Sequence, residues 1–337
     1  MATGQARAAE ENVPVAGEQG GLSRRARVFA ILQRRGAIVV LLLVVAIAAV
    51  QFDNFLTARN LENIVLQASF LGLIAVGQTF VIISGGIDLS VGSMLALGGV
   101  LAALVLPVAW PLALLLPVVA CGLLGLGQGL LIARARMAPF IVTLAGLLGI
   151  RGLALALADE QPVGVANDSP FVWFGQGEIL GLTVPIVFML VAFVVGGLVL
   201  IRTRYGQAIF AIGGSEESAR LMGVRVDRTK VIAYTTSGAL SGLAGALLAA
   251  QIASGQPIAG AAWELDAIAA VVVGGTLLTG GAGTLSGTLA GVLLLGILQN
   301  LINQLGTLGS YTQQLVSGVF LIVVVLVQAY LTRKQRS

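Results

Sequence analysis

Side chains that carry out catalysis are scarce in this chain of 337 residues. It has no histidine, and its one cysteine, Cys121, lies in an apolar run, where we expect a small packing residue. Serine–histidine triads, histidine metal sites, CxxC redox pairs and internal disulfides are therefore excluded. Lys230 and Lys334, the two lysines, do not follow a glycine, so the phosphate-binding GxxxxGK(S/T) loop is absent too. We expect no catalytic residue, metal or cofactor here, and another polypeptide must hydrolyse any ATP that drives the protein.

One acidic side chain stands out in the segment ISGGIDLSVGS at residues 83–93, because its surroundings are apolar. An ionised carboxylate near the centre of a membrane costs about 2.5 kcal/mol or more, so it is seldom found there without a partner or a task. Gly85 and Gly86 interrupt the helix, and Asp88 or Ser90 can accept hydrogen bonds from the free amides of the next helix. Two roles stay open for Asp88, helix capping and contact with a substrate or gate, and transporters build their sites at such broken helices.

A second glycine-rich segment, VGGTLLTGGAG at residues 273–283, has the same order of apolar run, glycine pair and hydroxyl-bearing turn. Its paired glycines are Gly274, Gly275, Gly280 and Gly281. The pattern predicts a second broken helix and indicates an internal repeat, with both segments in parallel rather than inverted orientation. Close helix packing on glycine is the alternative explanation.

The polar loop at residues 202–230 contains GGSEESARLMG, which predicts a short helix. Ser215 is suited to cap its start, two glutamates follow at the positive end of the helix dipole, and Gly223 can end it in a left-handed conformation. Two turns of helix are not stable alone. Either packing on the membrane domain or a docked partner must hold this helix.

The elements that position these segments are membrane spans. The chain is 57% hydrophobic and 10% charged, with a mean hydropathy of +0.99, whereas soluble domains carry about 25% charged residues. We therefore predict an all-α polytopic membrane protein of about ten transmembrane helices, broken at the glycine-rich segments. The predicted spans are 36–52, 64–84, 90–106, 112–133, 140–158, 184–201, 231–253, 265–278, 284–305 and 314–330.

The basic residues predict the orientation. With ten spans, all but two of the 19 Lys and Arg residues fall on the side of the termini; Arg59 lies opposite and Arg151 lies within a span. The positive-inside rule places that side in the cytoplasm. We therefore expect a disordered cytoplasmic tail at residues 1–34, a transmembrane domain at 35–331 with its cytoplasmic loop at 202–230, and a basic tail at 332–337.

Five ordered motifs carry a resemblance to a known family. They are GGIDLSVGS, MAPFIVTLAGL, RTRYGQAIFAIGGSEESARLMGV, ELDAIAAVVVGGTLLTGGAGTLSGTLAG and the pair Gln299–Asn300. Over about residues 55–327 the chain resembles the permease subunits of ribose-type ABC sugar importers, and FIVTLAGL and GGTLLTGG are most similar to the galactofuranose branch.

The resemblance implies a monosaccharide importer of a bacterial inner membrane. Its implied partners are an ABC ATPase subunit that binds ATP and magnesium, a second permease of the same or a homologous chain, and a periplasmic or lipid-anchored sugar-binding protein; no nucleic acid is implied. It also implies that the short loop helix couples the membrane domain to the ATPase. The residues assigned to this coupling are Gly213, Gly214, Ser215, Glu216, Glu217, Ala219, Arg220 and Gly223.

The resemblance gives no sugar site. Sugars need donors and acceptors to replace lost water, so the polar residues at spanning depth are candidates for the pathway: Gln78, Thr79, Asp88, Ser90, Gln128, Asn300 and Asn303. Hydrogen bonds between helices are the alternative for each of them. Asn300 and Asn303 share a helix face.

Three other functions compete with a sugar importer. The chain could be an ABC permease for another small solute, such as an amino acid. A secondary transporter would need an intramembrane ion site, and Asp88 is the single acidic candidate. An intramembrane enzyme lacks catalytic side chains. Co-purification with an ATPase subunit would separate an ABC permease from a secondary transporter.

Overall fold

The computed structural model describes residues 24–304 together with Leu315, Gly318 and Val319, and it is almost entirely helical. The predicted span 314–330 lies largely outside the described residues, as do most of the N-terminal tail and the whole basic tail. The helices in the described part are α1 Arg24–Gln51, α2 Ala58–Ile83, α3 Val91–Val105, α4 Trp110–Ala133, α5 Pro139–Leu157, α6 Trp173–Gln176, α7 Val184–Arg202, α8 Arg204–Gly214, α9 Glu216–Leu221, α10 Val226–Gln251, α11 Trp263–Val273 and α12 Leu285–Gln304.

Two pairs of very short antiparallel strands accompany these helices. Strand β1, Val163–Gly164, pairs with β4, Ser254–Gly255, which follows α10. Strands β2, Glu178–Ile179, and β3, Leu182–Thr183, form a hairpin after a short 3₁₀ turn at Pro170–Val172 and helix α6. Strands β1, β2 and β3 belong to the loop between α5 and α7, whereas β4 lies between α10 and α11.

Six helices in the described part are long and apolar enough to cross a membrane: α2, α4, α5, α7, α10 and α12. The apolar stretch Ile38–Gln51 of α1 and helix α3 are shorter. Helix α11, which overlaps the predicted span 265–278, has 11 residues, which are too few to cross a membrane as a straight helix. The fold is thus a polytopic helical membrane protein.

The first helix begins earlier than the sequence predicted. We expected a disordered tail up to residue 34, but α1 starts at Arg24. Residues 24–34, RRARVFAILQR, contain many Arg, Ala, Leu and Gln residues, which are strong helix formers, and contain no glycine or proline to stop the helix. Helix propensity therefore extends α1 beyond the apolar span that marked it.

Helix α10 lies at the centre of the bundle, against α2, α3 and α4. Its glycines permit this, because a Cβ at Gly242 would overlap the Pro117 carbonyl of α4, and one at Gly245 would overlap the Leu95 carbonyl of α3. Cys121 is fully buried in the same contact, where its thiol donates to the carbonyl of Met94 at 3.3 Å. Backbone approach at small residues is how helices associate in lipid.

The half-length helices α3 and α11 are each preceded by a non-helical segment. Helix α2 ends at Ile83, Gly85 turns the chain at φ +81°, and residues 84–90 lead to α3. Helix α10 ends at Gln251, and residues 252–262 lead to α11. The sequence predicted a broken helix at the first of these segments, and at the second it predicted only a connection between the spans 231–253 and 265–278.

Candidate substrate pathway and coupling segment

Asp88 is the centre of a buried hydrogen-bonded cluster on the segment between α2 and α3. Its Oδ1 accepts from the backbone amide of Ser90 at 3.0 Å and from the Ser90 hydroxyl at 2.6 Å. Its Oδ2 accepts from the hydroxyl of Ser237, on α10, at 2.8 Å. All three residues have no exposed surface. The carboxylate thus holds the start of α3 and ties it to α10.

Of the two caps that the sequence offered for the start of α3, the structure has the Asp88 carboxylate, which accepts from the Ser90 amide. Ser90 occupies the N-cap position, but its side chain makes no capping bond with the following amides. The hydroxyl instead donates to Asp88 and lies 3.1 Å from Oε1 of Gln128, on α4. The Nε2 of Gln128 is buried and has no hydrogen-bond partner among the described residues. Three predicted pathway residues, Asp88, Ser90 and Gln128, therefore lie together.

Two further predicted pathway residues, Gln78 and Thr79, lie on α2. The Thr79 hydroxyl contacts that of Thr288, on α12, at 2.9 Å, so it joins two helices. Gln78 is fully buried on α2, and neither polar atom of its side chain has a partner in the described part of the chain. A buried amide without partners costs about 1–3 kcal/mol, so its retention in the core favours contact with water or a ligand.

Asn300 and Asn303 lie on α12. Asn300 donates to Asn60, on α2, at 2.9 Å, and Gln304 donates to Asn300 at 2.9 Å. Asn60 and Gln304 also line an open cavity of about 560 Å³ beside the ends of α1 and α12. Asn300 thus belongs to a polar group at the opposite end of α2 from Asp88.

All six predicted glycines lie at helix breaks, between α2 and α3 or between α11 and α12. Gly85, Gly275, Gly280 and Gly281 have φ values of +81°, +92°, +84° and +77°, which glycine adopts at little cost. Gly86 and Gly274 instead fill close contacts, against the hydroxyl of Tyr234 and the backbone of Gly287. The first four glycines therefore serve the helix breaks through their backbone conformation, and Gly86 and Gly274 serve close packing.

The two breaks meet each other and the loop helix α8 through their backbones. The amide of Gly281 donates to the carbonyl of Ile83 at 2.9 Å. A Cβ at Gly213, near the end of α8, would overlap both the Ile83 carbonyl and the Gly281 amide. We call these three residues, Ile83, Gly213 and Gly281, the glycine junction. No side chain separates the three elements at this point, so α8 touches both breaks through the backbone.

The predicted short helix is present as α9, which we call the coupling helix, Glu216–Leu221. The Ser215 hydroxyl caps it by accepting from the Ser218 amide at 3.2 Å, and Gly223 follows it with φ +81°. Both features match the sequence prediction. Gly213 and Gly214, however, belong to the preceding helix α8, which the sequence analysis did not separate from α9.

Ion pairs fix the coupling helix to the start of α10. Glu216 accepts from Lys230 at 2.5 Å and lies 3.4 Å from Arg220, which also pairs with Asp227 at 3.1 Å. Partial burial acts to raise the pKa of Glu216, but hydrogen bonds and attraction from Lys230 and Arg220 outweigh it and hold that pKa below its usual value. The assigned residue Glu217 is exposed, with no hydrogen bond or ion pair among the described residues.

One face of the coupling helix is buried, and the opposite face is exposed. Ala219 is fully buried against Ile212 and Val226. Leu221 and Met222, at the other face, are 84% and 72% exposed. These two large apolar side chains form an exposed apolar surface beside a helix that ion pairs hold to α10.

Sequence analysis gave Arg151 no role, although it noted that this residue lies within a span. Arg151 is on α5, and its Nη1 donates to the carbonyls of Pro257 and Ala259, in the segment before α11. An arginine inside a span was the signal, because its cost in lipid requires a partner or a function. The partners themselves are backbone atoms, which no sequence pattern marks.

The family model described as branched-chain amino acid transport system / permease component matches residues 60–325. The ribose import permease protein RbsC of Bacillus subtilis is 44% identical over 299 residues, which cover 88% of this chain and 92% of that protein. RbsC of Escherichia coli K12 is 41% identical, over 88% of this chain and 94% of that protein.

A third relative is the L-arabinose transport system permease protein AraH of Escherichia coli K12, 37% identical over 90% of this chain and 92% of that protein. No solved structure matches the chain. The family match covers both helix breaks, the Asp88 cluster and the coupling helix. The chain therefore belongs to this family of transport-system permease components.

Proposed function

We propose that the chain is the membrane-spanning permease subunit of an ATP-driven importer that moves a monosaccharide into the cytoplasm. The observation that carries the proposal is the coupling helix. It is capped and fixed by ion pairs, it leaves Leu221 and Met222 bare, and α8, which precedes it, contacts both helix breaks at the glycine junction. A partner that docks there would move α8 and, through it, the breaks.

A monosaccharide is the favoured solute. The relatives are named for ribose and L-arabinose import. The amide side chains of Gln78 and Gln128, buried with unpartnered atoms among the described residues, are suited to hydrogen bonds with sugar hydroxyls. The family description, which names branched-chain amino acids, supports the second candidate, a permease for another small solute. We assign the substrate pathway to Gln78, Thr79, Asp88, Ser90, Gln128, Asn300 and Asn303.

The membrane topology of this proposal has ten spans with both termini in the cytoplasm of a bacterial cell. The count adds to the six long helices the shorter apolar stretch of α1 and helix α3, the 11-residue α11 taken together with the non-helical residues beside it, and the predicted span 314–330. The basic residues of the loop between α7 and α10 then lie on the cytoplasmic side, which supports this orientation.

The partners are an ABC ATPase subunit, a second permease and a sugar-binding protein outside the cell. ATP and magnesium bind to the ATPase subunit, because this chain has no phosphate-binding loop. The chain itself needs no cofactor in this scheme and acts without catalysing a reaction.

Co-purification tests the proposal at the coupling helix. The wild-type chain and the variant Leu221→Asp are each purified from membranes that also contain the ATPase subunit. The amount of ATPase subunit bound to each is then measured. We expect Leu221→Asp to lose most of it, because a carboxylate cannot fill an apolar groove. Leu180→Asp is the matched control: Leu180 is fully exposed, but it lies on the β2–β3 hairpin, outside the coupling segment.

Uptake of radiolabelled D-ribose, L-arabinose and L-leucine by the same cells tests the solute. We expect sugar uptake that depends on the chain. Wild-type protein that transports without any ATPase subunit would contradict the proposal, and transport of L-leucine alone would replace the sugar by the second candidate.

A further inference from the structure

The turn that joins β2 and β3 has a leucine where the backbone favours other residues. Leu180 and Gly181 have φ values of +54° and +78°, so both central residues of the turn are left-handed. Hairpins with such turns usually have Asn-Gly or Asp-Gly at these positions, because a bulky side chain is strained at positive φ. The Leu180 side chain is also fully exposed. The turn alone does not account for this leucine, which points to a role for its side chain.

The strands on either side add to the apolar surface at this tip. Ile179 pairs with Leu182, so their side chains lie on one face of the hairpin, and both are exposed. The next pair, Glu178 and Thr183, lies on the opposite face. We call Ile179, Leu180 and Leu182 the hairpin surface. It joins an apolar tip to one apolar face, and the carboxylate of Glu178 belongs to the other face.

Three aromatic rings connect the base of the hairpin to the start of α4. The indole ring of Trp173 packs over Gly177, the residue before β2, where a Cβ would overlap it. This ring meets Phe174 edge-on at a centroid distance of 5.3 Å, and Phe174 stacks on Trp110 at 5.8 Å. Both tryptophans are exposed. Tryptophan is enriched where a membrane meets water, because its ring has an apolar body and a polar N–H.

The hairpin lies at the perimeter of the bundle and not over its centre. Helix α6, before the hairpin, packs on the central helix α10, where Gln176 donates to the carbonyl of Gln251 at 3.0 Å and Gly175 lies against the same backbone. The chain then leads to the hairpin, and both of its strands contact α7, which begins at Val184. Less than half of the apolar part of α7 is buried among the described residues, so α7 and the hairpin beside it are peripheral.

The exposed side chains of the neighbouring spans indicate what surrounds this perimeter. Val191, Val194 and Leu198 are exposed along α7, and Leu115 is exposed along α4, which begins at Trp110. Contacts between spans favour small residues, which let the backbones approach. Surfaces of large apolar side chains on spanning helices therefore face lipid. The hairpin surface continues these lipid-facing surfaces at their ends.

We propose that the β2–β3 hairpin anchors its loop in the membrane, with the hairpin surface inserted among the headgroups and upper acyl chains beside α7. The leaflet is the outer one, because α4 and α7 both begin on the outer side in the topology of the proposed function; the anchor itself does not depend on the solute. Glu178 lies about 7 Å before Leu180, at roughly 3.3 Å a residue, so its carboxylate remains among hydrated headgroups. The chain has no Lys or Arg between residues 152 and 201, so apolar area and not attraction to anionic lipid drives the insertion.

Quenching of a fluorescent label by lipid tests the anchor. Cys121→Ser gives a background without cysteine, and Leu180→Cys in that background is labelled with a fluorescent maleimide. The assembled complex is reconstituted into phosphatidylcholine vesicles, with or without a lipid that carries a nitroxide on its upper acyl chain. We expect the nitroxide lipid to lower the fluorescence at least about threefold, because the label then lies among acyl chains.

Asp168→Cys, made and labelled in the same way, is the matched control, since Asp168 is exposed in the same loop but outside the hairpin. The nitroxide lipid should change its fluorescence little, which also accounts for any affinity of the dye itself for lipid. If the complex does not assemble with Cys121→Ser, Cys121 can stay, because it is buried and out of reach of the maleimide.

A change at the tip separates the anchor from a role in the turn alone. Leu180→Asn suits the left-handed turn better than leucine does, so a purely structural role predicts no loss of quenching for a label at Ile179→Cys. The anchor predicts that Leu180→Asn lowers the quenching of this label by about half or more, because the tip loses its apolar side chain.

Equal quenching at positions 180 and 168 would overturn the anchor. So would a label at position 180 that the nitroxide lipid does not reach but that added sugar-binding protein shields from iodide in the water, because the hairpin would then be a docking surface for that protein. Strong quenching at position 180 in vesicles that take up no D-ribose would count against the proposed function and leave the anchor standing.

Discussion

Gly213 is the position at which the coupling segment touches both helix breaks, so a methyl group there tests whether this contact transmits movement. Gly213→Ala places a Cβ where the Ile83 carbonyl and the Gly281 amide now lie. Gly214→Ala, one residue later in the same helix, meets nothing within 4 Å. Both changes raise helix propensity alike, by roughly 1 kcal/mol. A difference between the two variants therefore reports the contact at Gly213 and not the change in helix propensity.

The expected magnitude follows from the contacts. Overpacking of a tight site costs about 1–3 kcal/mol. Loss of the hydrogen bond from the Gly281 amide to the Ile83 carbonyl costs about another 0.5–1.5 kcal/mol. After the gain in propensity of roughly 1 kcal/mol, a net effect of about 0.5–3.5 kcal/mol remains on the equilibrium that links α8 to the breaks. This corresponds to a change of about 2- to 400-fold in coupling.

The assay is ATP hydrolysis by the reconstituted complex, with and without loaded sugar-binding protein, beside sugar uptake. Gly213→Ala should lose stimulation by the binding protein and lose uptake, while its basal hydrolysis persists. Gly214→Ala should behave as the wild type. Normal stimulation and uptake in Gly213→Ala, with normal assembly, would refute the glycine junction as the route of coupling, and equal damage in both variants would show that only helix propensity matters.

Three further predictions concern single residues. Asp88→Ala should strongly reduce sugar uptake without loss of the protein from the membrane. Asp88→Asn can still accept a hydrogen bond from the Ser90 amide, so it should retain uptake if Asp88 acts as a cap. Loss of uptake in Asp88→Asn would show that the charge itself is needed. Gly223→Val should impair uptake together with stimulated hydrolysis, since φ +81° costs a β-branched residue about 1–2 kcal/mol or more, whereas Gly223→Asn should be tolerated, and equal behaviour of the two would disprove the backbone argument. The pKa of Glu216 is lowered in the folded state, so Glu216 stabilises the coupling helix fully above the ordinary pKa of glutamate and loses this effect as the pH falls below that value. Hydrogen exchange of α9 should show this loss in the wild type and not in Glu216→Gln.

The sequence was sufficient to predict features that depend on local residue types. The break after Ile83 follows from paired glycines, the cap at Ser215 from a hydroxyl before two glutamates, and the end at Gly223 from the need for a left-handed residue. The same reasoning placed the helices α2, α4, α5, α7, α10 and α12 to within several residues at their ends. Local chemistry decides each of these features.

Features that depend on contacts between distant segments could not be predicted from sequence. The break after Gln251 lacks a glycine pair, and its segment is held by Arg151 from a helix about 100 residues earlier. Gly213 resembles an ordinary helix-terminal glycine until the fold brings Ile83 and Gly281 against it. Helix α8 escaped notice because its moderate polarity gives neither a span nor a clear cap at Gly214.

The candidate pathway shows the same division. Polar residues in apolar runs identified Asp88, Ser90 and Gln128, and the fold brings these three together. Thr79 and Asn300 carried the same sequence signal, but each pairs with a neighbouring helix instead. Their spacing along the chain does not reveal which polar residues meet, because that depends on how α2, α4 and α12 pack.

Sugar uptake by purified components in proteoliposomes tests the central claim most directly. The chain is reconstituted with its ATPase subunit, with the second permease where that is a separate chain, and with the sugar-binding protein, and D-ribose uptake is measured with and without ATP on the ATPase side. Our account predicts uptake that requires ATP, the ATPase and the binding protein together. Uptake by this chain alone, driven by an ion gradient and indifferent to ATP, would contradict it.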